Sequence, residues 1–83
     1  MVNKSEIAGR IVRQVAIELN VDEGVVLRAR SLRADLQMDS VAAANILFAL
    51  EEELGVELDL GDVVSLDSVS DIVGVVAVAV GDA

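Results

Sequence analysis

The sequence predicts an all-α fold: a small helical bundle with three main helices plus one short helix, and a long loop between helices 1 and 2. Three observations predict it. Apolar residues recur at helical spacing in three separate stretches. Residues that start and stop helices stand at the ends of those stretches. The chain has 83 residues, no proline and 54% hydrophobic content, enough for one aliphatic core and one domain, residues 1–83.

The first helix is expected over residues 3 to 19. Asn3 and Glu6 have capping-box spacing, with Asn in place of the usual Ser or Thr. Ile7, Ile11, Val15 and Leu19 recur every four residues, with Val12 and Ala16 beside them. Asn20 supplies a stop. Residues 20 to 39 show no sustained period; Val21, Val26, Leu32 and Leu36 are their irregular apolar anchors. Loops this long tend to be functional or pinned by such anchors.

The second helix is expected over residues 40 to 54. Ala43, Ile46, Leu47, Leu50 and Leu54 form its core stripe, and Gly55 ends it. Glu51, Glu52 and Glu53 sit near its C-terminus, the unfavourable end of the helix dipole for acids. A short helical turn is expected between Asp59 and Ser65. Asp67 or Ser68 then caps a last helix carrying Val69, Ile72, Val73, Val76 and Val80. Local signals conflict here. Val76, Val78 and Val80 also alternate as a strand would, and Gly74 weakens a helix by about 1 kcal/mol relative to Ala. A lone terminal strand would have no partner, so helix is the expectation.

Composition excludes several functions. Without histidine there is no Ser–His pair, and without cysteine there is no disulfide or thiolate site. Three consecutive glutamates splay around a helix, so no metal site is expected. No segment reads as a signal peptide or membrane span, and a cytoplasmic protein without membrane contact is the expectation. Net charge is −9. All six basic residues and only four acids lie in residues 1–33, whereas residues 34–83 hold eleven acids and no base. Such a surface repels nucleic acid and attracts basic protein patches.

The most informative stretch is Asp35-Leu36-Gln37-Met38-Asp39-Ser40-Val41. Asp39 is placed to cap the second helix and Ser40 to open it. A helix N-terminus favours an anion, because its free N–H groups and the helix dipole both point there.

These residues resemble the attachment site of acyl carrier proteins, and the resemblance covers nearly the whole chain. Leu19-Asn20-Val21 is similar to the family's Leu-Gly-Val. Ser31-Leu32 and Asp35-Leu36 match its approach to the site, and Asp39-Ser40-Val41 looks like its Asp-Ser-Leu core motif. Ala49-Leu50-Glu51-Glu52-Glu53-Leu54 and Leu66-Asp67-Ser68-Val69 match two further blocks in the same order. The resemblance implies a free-standing carrier, not an enzyme, with an acyl-carrier-type bundle. It implies that Ser40 bears a covalent 4′-phosphopantetheine arm, taken from coenzyme A by a phosphopantetheinyl transferase. Acyl or aminoacyl groups would then ride on that arm as thioesters. The implied partners are an acyltransferase or an acyl or aminoacyl ligase, and a ketosynthase or other pathway enzymes; the chain is expected to be a monomer.

Partner contacts are expected on an apolar stripe of the second helix, Val41, Ala44 and Phe48, and on the acids Asp35, Asp39, Glu51, Glu52 and Glu57. Two departures from the family bear on pathway. Gln37 stands where glycine is usual. Ala42 and Asn45 stand where fatty-acid carriers usually place acids that meet basic enzyme patches. The expectation is therefore polyketide or other specialised biosynthesis. One alternative is a carrier of primary fatty-acid biosynthesis. Another, of a different class, is an unmodified acidic helical adaptor.

Overall fold

A computed structural model describes residues 3–81. The first helix, α1, spans Lys4–Leu19. Asn3 caps it, its Oδ1 accepting from the Glu6 N–H at 2.8 Å. At the other end Asn20 turns left-handed at φ 57°, and the Val21 N–H reaches back to the Ala16 carbonyl at 3.0 Å. Asparagine adopts this conformation more readily than most residues, so it stops the helix at low cost.

Ile7, Ile11, Val12, Val15 and Ala16 are all buried. An apolar face this wide needs more than one neighbour. α1 packs against α4 (Ser40–Leu54), against α5 (Val69–Ala79) and against the short α2 (Glu23–Arg28). From α4 the core receives Ala43, Ile46, Leu47 and Leu50, the expected stripe, with Leu54 half-buried at its end. Gly55 ends α4 at φ 66°, as expected of a left-handed stop.

The stretch expected to be a long loop contains two short helices, α2 and α3 (Leu32–Leu36). The physical reason is length. Helices of six and five residues complete too few turns to show a period, and they are unstable alone. Packing and caps hold them. Val26 and Leu32 are buried, Val21 and Leu36 pack against the core, and the Ser31 Oγ accepts from the Ala34 N–H at 3.0 Å.

A 3-10 helix, Leu60–Ser65, follows α4 and packs against it. Asp59 caps it, its Oδ1 accepting from the Gly61 N–H at 2.9 Å. Ser68, not Asp67, then caps α5. The Ser68 Oγ accepts from the Asp71 N–H while an Asp71 carboxylate oxygen accepts from the Ser68 N–H, a reciprocal capping box. The conflict over Val76 to Val80 resolves as helix through Ala79. Ile72, Val76 and Ala77 seat in the core while Val78 is 77% exposed. Helical spacing seats 72, 76 and 77 together in the core; a strand would put Ala77 on the face opposite Ile72 and Val76 and leave its backbone unpaired. Among the described residues there is no strand.

Asp67 has a different task from capping. Its carboxylate accepts from the Ser31 Oγ at 2.7 and 2.9 Å and from the Arg33 N–H at 3.1 Å. Its own carbonyl accepts from the Leu32 N–H at 2.6 Å. Arg33 returns the contact, donating from Nε to the Leu66 carbonyl at 2.8 Å and from its guanidinium to the Val63 carbonyl at 2.7 Å. This clamp joins α3, which leads to Ser40, to the junction before α5.

The Ser31 hydroxyl first, then the Arg33 N–H and charge, hold the Asp67 carboxyl below its usual value against an opposing desolvation effect. The folded state therefore binds this proton less tightly than the unfolded chain. The resulting stability is complete above the unfolded value, about 3.9, and is lost as pH falls below it through the lowered folded value. Chemical denaturation at a series of acidic pH values should show this segment of the stability profile flattened in Asp67→Asn. An unchanged profile would remove Asp67 from the acid response.

Candidate functional site

Two anchors aim the start of α4. Met38 is buried, and its N–H bonds the Leu32 carbonyl at 3.0 Å. Ala43, three residues past Ser40, is buried on the other side. Between them Asp39 and Ser40 are left exposed. Asp39 is the N-cap, its Oδ1 accepting from the Ala42 N–H at 2.8 Å, while its carbonyl accepts from the Ala43 N–H at 2.9 Å. Ser40 is the first residue of a 15-residue helix whose first turn has no acid. Its hydroxyl makes no hydrogen bond among the described residues. The N–H groups of Ser40 and Val41 have no intrahelical acceptor, as at any helix start.

Gln37 reaches this point at a cost. It is left-handed, φ 58° and ψ 36°, at the end of α3. A non-glycine residue there costs roughly 1–2 kcal/mol. The glycine usual in the resembling family would adopt it freely, so the backbone requires the turn that the side chain opposes.

The acids expected at partner contacts do different things. Asp35, though exposed, turns its carboxylate back to the chain before α3, accepting from the Arg30 and Ser31 N–H groups at 2.9 and 3.2 Å. Glu51 accepts from the Leu58 N–H at 2.7 Å and so closes the loop after α4. Glu52 and Glu57 are exposed. Glu53, not among the expected partner contacts, accepts from Arg10 at 3.1 Å and Gln14 at 2.9 Å and ties α4 to α1. These bonds account for acids at the unfavourable end of the α4 dipole: two of the three have specific partners.

The apolar stripe stands as expected in part. Val41 is 69% exposed and Phe48, the chain's one aromatic, 49% exposed; Ala44 is half-buried against the core. Ala42 is half-buried too. Asn45 is exposed, and its side-chain amide donates to the Glu18 carboxylate of α1 at 3.1 Å. No sequence signal joined these two, which lie 27 residues apart.

The fold and site thus define a small helical protein that presents an unengaged serine at a helix N-terminus. A family model described as "Phosphopantetheine attachment site" matches residues 9–76. The chain is 37% identical over 70 residues to a protein named "Acyl carrier protein" from Thermosynechococcus vestitus (strain NIES-2133 / IAM M-273 / BP-1), covering 84% of this chain and 86% of that protein. No solved structure matches. The chain belongs to the acyl carrier protein family, whose members carry a covalent 4′-phosphopantetheine and are carriers, not enzymes. Its partners accordingly include a phosphopantetheinyl transferase and enzymes of an acyl pathway. No described helix is long and apolar enough to cross a membrane.

Phe48 is half outside the core, so its truncation should be cheap. Phe48→Ala is expected to lower stability by about 1 kcal/mol, against roughly 3–5 for a core aromatic. The urea midpoint, with the slope unchanged, reads this directly. A loss of 3 kcal/mol or more would place Phe48 among the core residues.

Proposed function

We propose that Ser40 is the attachment residue, that residues 1–83 form a single carrier domain, and that the chain serves polyketide or another specialised acyl pathway. The observation that carries the first part is the exposed, unengaged Ser40 hydroxyl at the N-terminus of α4, fixed between buried Met38 and Ala43. The phosphate of the arm is an anion. The free N–H groups and the dipole at this helix start suit it, and the Asp39 cap leaves two of those N–H groups available. The arm supplies a thiol for thioester chemistry. This chain contributes placement. It has no histidine to activate Ser40, so the base that takes the hydroxyl proton belongs to the transferase.

The pathway reading rests on α4, which carries no acid between Ser40 and Glu51. Its exposed stripe there is Val41 and Phe48. A basic enzyme patch finds less to bind on this helix, and each exposed charge contact is worth roughly 0.2–1 kcal/mol. Glu52 and Glu57 are free to steer a basic enzyme from further along the surface.

Co-expression with a broad-specificity phosphopantetheinyl transferase, followed by intact mass, tests the attachment site. The wild type should gain one phosphopantetheine group. Ser40→Ala should gain none while its circular dichroism stays helical. Continued modification of Ser40→Ala would reject Ser40.

Loading of the holo-protein tests the pathway. A malonyl transferase of primary fatty-acid synthesis should load it poorly, and Ala42→Asp should improve loading, because an acid in the first turn suits the helix dipole and restores a charge. Asn45→Glu is unsuitable, since it sets a second carboxylate against Glu18. Efficient loading of the unmutated holo-protein would favour a primary fatty-acid role.

A further inference from the structure

We propose that Glu18, held by the Asn45 amide, supplies from α1 the recognition charge that the first half of α4 lacks, so that a basic partner surface reads both helices at once. The proposal rests on the exposed stripe of α4 being the face that partners dock on. Positions 41, 45 and 48 fall within an arc of about 60° at 3.6 residues per turn. Asn45 therefore stands between the exposed Val41 and Phe48 along the axis and at one edge of their stripe around it. Its amide nitrogen is 3.1 Å from a Glu18 carboxylate oxygen. The carboxylate is thereby held beside the apolar first half of the stripe, on its α1 side.

Glu18 is exposed, and no cation pairs with it: the ion pairs among the described residues join Arg10 to Glu6 and to Glu53. Of the acids on α4 itself, Glu52 is exposed on the same face but lies beyond Phe48, in the second half of the helix, and the other two are engaged. Glu51 is spent on the Leu58 N–H, and Glu53 on Arg10 and Gln14. A carboxylate without a cation, held beside the exposed Val41 and Phe48, fits a surface with one arginine or lysine next to an apolar contact. A second copy of this chain does not fit. Its net charge of −9 repels, and its basic residues are confined to positions 4 to 33. Asparagine at position 45 is then the holder of a charge that has moved to the neighbouring helix.

The test is the rate of modification by a phosphopantetheinyl transferase with a basic carrier-facing surface, with coenzyme A as the donor. It is measured for Glu18→Gln, Asn45→Ala, Phe48→Ala and Glu6→Gln at low and at physiological salt. Glu6 removes the same charge from the same helix, but twelve residues away, about 18 Å along the axis. That exceeds the screening length of about 8 Å at physiological salt. Glu18→Gln keeps a hydrogen-bonding side chain for Asn45 and should lower kcat/KM about two- to fivefold at low salt, through KM, with the deficit shrinking as salt rises. Asn45→Ala leaves the charge but frees it, and should give a smaller loss of the same salt-dependent kind. Glu6→Gln should match the wild type at physiological salt. Phe48→Ala should slow the reaction equally at both salts. If Phe48→Ala is slow but Glu18→Gln behaves like Glu6→Gln, the role of Glu18 is overturned and the α4 docking face stands. If Phe48→Ala is also unaffected, the docking face falls and the role of Glu18 with it.

Discussion

The apolar face of α1 is the constraint on which the rest of the structure depends. Ile7, Ile11 and Val15 are fully buried, and Val12 and Ala16 widen the stripe until one neighbour cannot cover it. α4 covers one flank and α5 the other, while α2 packs at a third place. A core without a single buried aromatic must rely on many aliphatic contacts, each small, so close packing on α1 decides the geometry of every other helix. Arg10 and Gln14, half-buried beside that face of α1, reach Glu53 and add direction to the packing.

The second constraint is polar and local. Asp67, Ser31 and Arg33 fasten the approach to α4 onto the start of α5. Beside it, buried Met38 and left-handed Gln37 turn the chain so that Asp39 and Ser40 emerge at the surface. The strain at Gln37 is sustained because burial on both sides over-determines the turn. A carrier must present its attachment point outward, on a support stiff enough to be recognised. With Ser40 as the proposed attachment residue, one short helix, one clamp and one buried methionine meet that need.

Charge in this protein divides into two uses. Asp35, Asp39, Glu51, Asp59, Asp67 and Asp71 accept hydrogen bonds from backbone N–H groups, all but Glu51 at the start of a helix. Those carboxylates shape the chain. Glu52 and Glu57 remain in solvent, and Glu18 is held at the surface by Asn45. Excess acidity alone therefore says little about recognition. What matters is which carboxylates the backbone has not already engaged.

The sequence by itself determined α1 and α4, because each carries a full apolar period and its own caps, and it marked the start of α5. Asn3, Asn20, Asp39 and Gly55 end helices where their side chains or backbone freedom predict, and Ser40 opens α4 for the same local reason. It also pointed to the family, since the motif blocks around Ser40 lie in order along the chain. Tertiary structure decided what periodicity cannot encode. α2 and α3 are too short to show a pattern and exist through Val26, Leu32 and the Ser31 cap. The ambiguous valines of α5 became helix because α1 offered a surface at helical spacing and the described residues hold no strand to pair with. The destinations of Glu51, Glu53, Asp67 and Asn45 depend on partners 7 to 43 residues away, which meet only once the helices have packed.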